Sequence, residues 1–388
     1  MMLDVPDELL DWRAKGFWLP EGEVPARAFA AARHTLFDGS FTWPLLVVRD
    51  SAVRANIATM AGYADRHGFS FAPHAKTTMA PSLLQAQLDA GAWALTVATA
   101  NQALVLRRLG APRVLIANEV LDPTALRWLS AQAARGWEVI VQVDSPAGVE
   151  RVADAGGLRV LVELGHAGGR TGCRTVDGVV EVARACAGAP GVTLAGVTAY
   201  EGALPDADAV DALLATQVEA VRSIAGLLPA EVVVSAGGSA WFDRVVKAFE
   251  GQWLDGHTVR AVLRSGASVT HDDGFYRART PFGRVPQEGS LTSGLELYAQ
   301  VLSTPEPGLA IVGMGKRDAP FDEGLPVTEA GEVVRMNDHH THVRGTSAAV
   351  GDVIRFGLSH PCTAFDKWRF IPVADDEDVV VDVLHTYF

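Results

Sequence analysis

Cysteine is scarce in this chain, with only Cys173, Cys186 and Cys362 among 388 residues. Three thiols cannot build a disulfide framework, and so sparse and odd a count suits a reducing compartment. Long apolar runs are missing as well. A membrane-spanning helix needs about 18 or more consecutive apolar residues, and no such stretch occurs. Positive charge is in deficit, with 33 basic against 46 acidic residues and a formal charge of −13. An acidic surface attracts neither nucleic acid nor an anionic membrane, so neither is expected as a partner. Asp4, Asp7, Glu8 and Asp11 stand where a secretory signal would carry a basic segment and an apolar run, so the cytoplasm is the expected location.

Apolar residues make up 48% of the chain and charged ones 20%, enough to bury a substantial core and to exclude a disordered or collagen-like protein. The length fits two or three domains, or one large barrel with a smaller module. Between about 68 and 270, short apolar runs alternate with helical stretches. Eight runs stand out, at 69–76, 94–99, 113–118, 138–144, 158–166, 194–202, 231–235 and 261–265. Val114-Leu115-Ile116 and Val139-Ile140-Val141 are continuously apolar, as parallel strands buried on both faces are. Asp122-Pro123 and Ser145-Pro146 each place a capping side chain before a proline, whose missing N–H costs nothing in a first helical turn. Eight strands with intervening helices predict a closed (β/α)8 TIM barrel, although a doubly wound open sheet has similar local patterns.

From about 272 onward, glycine, proline and alternating apolar runs at 309–312, 350–355, 368–373 and 379–384 predict a mostly antiparallel β-domain, with 313–326 as a long loop. The strand-like 44–49 ahead of a helix over 51–67 either joins that domain or covers the barrel. The expected division is an N-terminal segment at 1–43 packing on either domain, the barrel at 44–270 and the β-domain at 271–388.

In a barrel of this kind the chemistry sits at the carboxyl ends of the strands. The first run ends in Pro73-His74-Ala75-Lys76-Thr77. A partly dehydrated lysine there has a lowered pKa and makes a good Schiff-base amine; a snorkelling surface lysine is the plain alternative. The seventh run leads into Gly237-Gly238-Ser239 before a helix expected over 240–249. Paired glycines let N–H groups approach an anion, Ser239 adds a hydroxyl and the helix start adds its dipole. The eighth run ends in Ser265-Gly266, and phosphate sites after strands seven and eight recur in this fold. Two glycines in a tight turn are also an ordinary structural device.

Arg170 and Tyr200, which follow the fifth and sixth runs, can hydrogen-bond to and pack against a flat aromatic cofactor, or pair with a carboxylate and fill space. In Ser359-His360-Pro361-Cys362-Thr363, an extended backbone would project His360 and Cys362 from one side, as two ligands of one zinc ion; a structural pair is the alternative. Asp338, His339, His340 and His342 are further candidate ligands or a surface histidine cluster. Cys173 and Cys186 have no such companions and read as core thiols.

Together these segments resemble the alanine-racemase-type (fold type III) pyridoxal-phosphate enzymes, and within them the D-serine dehydratase and D-threonine aldolase branch. The segments that carry the resemblance are 73–77, 165–172, Tyr200-Glu201-Gly202, Gly237-Gly238-Ser239, Leu263-Arg264-Ser265-Gly266, Gly315-Lys316-Arg317-Asp318, Asn337-Asp338-His339-His340 and His360-Pro361-Cys362. The resemblance implies that Lys76 forms the Schiff base with pyridoxal 5'-phosphate. It places the phosphate on Gly237, Gly238 and Ser239 with Gly266 nearby, and Arg170 and Tyr200 around the ring. The family's metal pair falls on His360 and Cys362.

A cysteine at the second metal position belongs to the dehydratase branch with zinc, whereas the aldolase branch usually has an aspartate there and uses manganese or magnesium. Cys362 therefore tips the expectation toward dehydration. Lys76 would take the Cα proton and a Lewis acid would ease loss of the β-hydroxyl, giving a 2-oxo acid and ammonia. The expected substrates are small 3-hydroxy-D-amino acids, with D-serine, D-threonine and 3-hydroxyaspartate all open, and the expected assembly is a homodimer. The third metal ligand is water, substrate, or a residue such as Asp338 or His340. Ala240-Trp241-Phe242 departs from the threonine-proline pattern of many relatives, which leaves the substrate side chain open. An aldolase of the same substrates is the alternative. A racemase has no use for a metal pair, and a non-catalytic pyridoxal-phosphate carrier would not need the C-terminal metal domain.

Overall fold

The computed structural model describes residues 2–388, which cluster into two compact units. One unit contains Ala61–Lys76 and Gln87–Gly266, with the described residues up to Asp4; the other contains Val5–Met60, Thr77–Ala86 and Ala267–Phe388.

The first unit is built on eight parallel strands: Ser70–Phe71, Leu95–Val97, Arg113–Glu119, Glu138–Val143, Arg159–Leu164, Thr193–Ala199, Glu231–Ala236 and Thr258–Leu263. They pair in chain order and the first pairs with the eighth. An open doubly wound sheet reverses its strand order at a switch point, and none occurs here. The ring closes just beyond the first strand, where His74 bridges Thr96 and the Thr96 N–H donates to the Pro73 carbonyl at 2.9 Å. Asp122 and Ser145 cap Pro123–Ala133 and Pro146–Asp154 by accepting backbone N–H bonds, as the sequence predicts.

The barrel interior is layered. Ala72, Ala94, Leu115, Ile140, Leu161, Ala195, Val233 and Val262, one from each strand or its immediate flank, form one apolar cluster. Side chains two residues apart share a face of a strand. The next inward positions on several strands are therefore His74, Thr96, Gln142, Glu163, Ser235 and Arg264. The interior thus turns from apolar to polar toward the carboxyl ends, where the site is expected.

The second unit is a mostly antiparallel sheet ordered Glu332–Met336, Thr341–Arg344, Leu309–Val312, Leu295–Glu306, Leu45–Arg49, Phe370–Ala374 and Val380–His385, with Val353–Gly357 also pairing to Leu295–Glu306. Leu45–Arg49 joins this sheet, pairing with 295–298, and 44–60, grouped with the barrel on sequence, clusters with the second unit. Packing explains the placement. Leu45 and Val47 face a cluster with Phe17, Phe29, Phe41 and Phe370, while Leu46 and Val48 face one with Leu295, Leu297, Phe356 and Trp368. A strand sandwiched between two apolar layers must be apolar throughout, and Leu45, Leu46, Val47 and Val48 are all fully buried. Segment 313–326 carries neither helix nor strand. Among the described residues no helix is long and apolar enough to cross a membrane.

Candidate active site

Lys76 lies just past the first barrel strand rather than on it. The strand ends at Phe71, and after the His74–Thr96 bridge one 3-10 turn, Ala75–Thr77, carries the half-buried lysine. His74 precedes it by two residues. Burial holds the His74 pKa well below its ordinary value, and the positive charges of Lys76, Arg264 and Arg170 push the same way. The imidazole is therefore neutral, its Nδ1 is buried without a hydrogen-bond partner, and three cations surround it.

The loops after the fifth and sixth strands converge as expected. Arg170 places its guanidinium carbon 4.4 Å from the centroid of the Tyr200 ring. The loop is held by Arg174, which donates to the Thr171 carbonyl at 2.9 Å and the Gly169 carbonyl at 3.2 Å, and by Asp144, which accepts from Gly172 N–H at 3.0 Å. Arg170 thus lies against an aromatic face, the sort of surface on which a guanidinium stacks.

The glycine loop holds an anion that belongs to the protein. Glu201, fully buried, accepts from the Gly237 N–H at 3.0 Å and from the Gly238 N–H at 2.5 Å. Gly237 has φ +99, a backbone conformation that favours glycine, and a Cβ there would also press on Leu263 Cδ2 at 2.8 Å. Ser265 Oγ donates toward the Gly237 and Gly238 carbonyls at 3.2 and 3.1 Å and ties the loop to the end of the eighth strand. With these two N–H groups engaged, the donors left for a phosphate include the Ser239 hydroxyl and the N–H groups of Ser239 and Gly266. Neither of those N–H groups has a partner among the described residues. The helix expected from 240 begins at Phe242 and ends at Phe249.

Below the loop, buried Arg264 donates to Thr198 Oγ1, to Ser235 Oγ at 2.9 Å and to the Ala199 carbonyl at 2.8 Å. Burial lowers its pKa against the opposing pull of Glu201, Glu163 and Tyr200. Across the polar layer, burial, the adjoining Glu163 and the charge of Asp144 push the Glu119 carboxyl up to about 8. Both Glu119 oxygens and Glu163 Oε2 are buried without a partner. A proton on Glu119 relieves the repulsion between the two.

In the second unit His360 and Cys362 come together, though not through an extended tripeptide. His360 is extended, and Pro361–Thr363 then forms a 3-10 turn because proline pre-sets the backbone of its first position. The turn returns the Cys362 side chain to the imidazole. Burial opposes a charge on His360, but Cys362 and the Asp322 carboxylate outweigh it and push the pKa up to about 9. Neighbours that hold a proton so firmly also favour a metal cation, and imidazole with thiol is a donor set suited to zinc. Thr77 Oγ1 lies 4.0 Å from Cys362 Sγ. The other two cysteines behave as core thiols, each pushed up to about 12, chiefly by burial. No group of three potential ligand side chains occurs among the described residues. Asp338, His339 and His340 instead line a surface cavity with Lys316 and Arg335, and Asp338 pairs with Arg317 at 3.3 Å.

Residues 48–253 match the family model described as alanine racemase, N-terminal domain, and 294–374 match the putative serine dehydratase domain. The chain belongs to the alanine-racemase-type family of pyridoxal-phosphate enzymes. D-threonine aldolase from Arthrobacter sp is 30% identical over 88% of this chain and 90% of its own length. The 3-hydroxy-D-aspartate aldolase of Paracoccus denitrificans (strain Pd 1222) is 27% identical over 82% and 84%. D-threo-3-hydroxyaspartate dehydratase from Delftia sp. (strain HT23) is 28% identical over 50% and 52%. The crystal structure of D-threonine aldolase from Filomicrobium marinum superposes with a TM-score of 0.77 over 89% of this chain and 95% of that one, at 24% identity. The alanine-racemase-type fold is therefore shared, together with the C-terminal sheet.

Within this family member, sequence reasoning brought forward Lys76, Arg170, Tyr200 and the 237–239 loop, and the structure gathers them at the carboxyl ends of the barrel strands. It overlooked Glu201, Arg264, Glu119 and Glu163. A sequence signal exists for Glu119 and Glu163, since each follows an apolar run toward the carboxyl end of its strand, Val114-Leu115-Ile116 and Val160-Leu161-Val162. Glu201 and Arg264 lie inside segments that carry the resemblance, but nothing local gives them their roles.

Proposed function

We propose that this enzyme is a metal-dependent dehydratase of small 3-hydroxy-D-amino acids, releasing a 2-oxo acid and ammonia. The observation that carries the reading is the pairing of His360 with Cys362, a donor set that suits a zinc-type Lewis acid. Pyridoxal phosphate bound at Lys76 supplies the electron sink for the pair left at Cα. Lys76 is both the attachment point for the cofactor and the base that takes the Cα proton. The donors of Ser239 and Gly266 receive the phosphate on a loop that Gly237, Gly238 and Glu201 hold in shape, and Arg170 with Tyr200 flanks the ring. His360 and Cys362 hold the divalent ion, zinc on this reading, that favours departure of the β-hydroxyl. Neutral His74 beside three cations adds no further positive charge around the anionic cofactor.

A second reading, an aldolase giving glycine and an aldehyde, is favoured by two relatives that match most of the chain and are named as aldolases. Incubating the purified protein with D-serine, D-threonine and D-3-hydroxyaspartate separates the two. A 2-oxo acid with ammonia supports dehydration; glycine with an aldehyde overturns it. Lys76→Ala should abolish turnover and the visible absorbance of lysine-bound cofactor, and turnover that survives would reject the role given to Lys76. The family resemblance also supports a homodimer, which analytical ultracentrifugation checks. Three free cysteines support a cytoplasmic setting.

A further inference from the structure

Asp322 lies in the long 313–326 loop, 38 residues before His360. Its Oδ2 stands 2.7 Å from His360 Nδ1, and its Oδ1 accepts from Thr363 Oγ1 at 3.1 Å. One carboxylate therefore grips both ends of the stretch from His360 to Thr363 that contains Cys362. A histidine nitrogen facing a carboxylate carries a proton, which leaves the other ring nitrogen as the ligating atom. Phe275 and Tyr276 pack beside the imidazole with ring centroids 5.7 and 5.8 Å away, confining its swing.

We propose that Asp322 is the positioning residue of the metal pair: it fixes the His360 tautomer so that Nε2 faces the ion, and through Thr363 it holds the turn that presents Cys362. This rests on the reading of His360 and Cys362 as metal ligands. Asp322 acts through His360 rather than as a ligand, because each of its oxygens already has a hydrogen-bond partner.

The test is zinc binding by metal-stripped protein, measured by competition with a chromophoric chelator, in wild type and in Asp322→Asn, Asp322→Ala and His360→Ala. Asp322→Ala should weaken zinc binding about 10–100-fold, the usual cost of removing an outer-shell partner. Asp322→Asn, which keeps an acceptor but loses the charge, should fall between Asp322→Ala and wild type. Equal affinity in wild type and both Asp322 variants overturns the proposal. Cobalt-substituted wild type and Asp322→Asn should share ligand-field band positions, and a shifted spectrum would make Asp322 a direct ligand and also overturn it. If wild type and His360→Ala bind zinc equally, or wild type binds none, the metal reading itself fails and the Asp322 assignment falls with it.

Discussion

The Glu201 carboxylate accepts the N–H of Gly237 at 3.0 Å, so the cradle read from sequence as an anion site already holds an anion. The contact spans 36 residues of chain and joins the ends of the sixth and seventh barrel strands. Two N–H bonds to a buried carboxylate are charge-assisted and worth more than neutral ones. Glu201→Gln keeps one acceptor oxygen but turns an amide NH2 toward a backbone N–H. The variant should lose about 1.5–3 kcal/mol of unfolding free energy and bind pyridoxal phosphate more weakly, read by urea denaturation and cofactor titration. Wild-type stability in both cofactor-free and loaded protein would show that Glu201 does not shape the loop.

Arg264 is the buried cation beneath the same loop, with Thr198, Ser235 and the Ala199 carbonyl as acceptors. Arg264→Met fills similar volume but leaves that carbonyl unpaired and removes the positive charge near Glu201. The expected cost is about 3 kcal/mol, within the range for removing one side of a buried ionic network. Arg264→Lys should recover part of it, since lysine restores the charge without the planar fork. Chemical denaturation of all three proteins checks the order, and a methionine variant as stable as wild type would contradict it.

The Glu119 carboxyl, near 4.5 when unfolded and raised to about 8 when folded, makes stability depend on pH. The folded state binds this proton more tightly than the unfolded chain does. The stabilisation is fully present below about 4.5 and is lost progressively as pH rises through about 8. Glu119→Gln, which cannot ionise, should remove that decline. In denaturant midpoints measured at pH 5 and pH 9, the wild type should lose more stability than the variant over the interval. Parallel curves would show that Glu119 is not protonated in the folded protein at neutral pH.

Much of this architecture was legible because it is local. Val114-Leu115-Ile116 is apolar because a parallel barrel strand is covered on both faces, and Asp122-Pro123 marks a helix start within three residues. The strand at Leu45–Arg49 was legible as a strand, but the choice between joining the second sheet and covering the barrel was not, since its partner lies at 295–298. Leu295–Glu306 escaped notice despite the alternation of Leu295, Leu297, Ala299 and Val301, because its central position arises only from pairing with distant strands. The site divides the same way. Lys76, the glycine pair and His360 with Cys362 announce themselves by neighbours in sequence. Glu201 on Gly237, Arg264 on Thr198 and Asp322 on His360 are contacts between segments 36, 66 and 38 residues apart, and no local pattern encodes them.

Cys362 is the residue on which the two proposed reactions divide, and its substitution offers the sharpest test of that division. A thiolate is a soft ligand that favours zinc, whereas a carboxylate suits manganese and magnesium. Half-buried Cys362 sits beside His360 on the Pro361–Thr363 turn, a placement set by backbone geometry rather than by the thiol. Cys362→Asp should therefore keep the turn and the imidazole while exchanging the soft donor for a hard one. Zinc affinity should fall by more than about tenfold, or ~1.4 kcal/mol, while manganese binding is kept or improved. If the ion's hardness directs the reaction, the manganese-loaded variant should yield more glycine and aldehyde, and less 2-oxo acid, than the zinc-loaded wild type. An unchanged product ratio in a variant that has switched metals would mean that the outcome is set by the base that receives the substrate's proton, not by the donor at position 362.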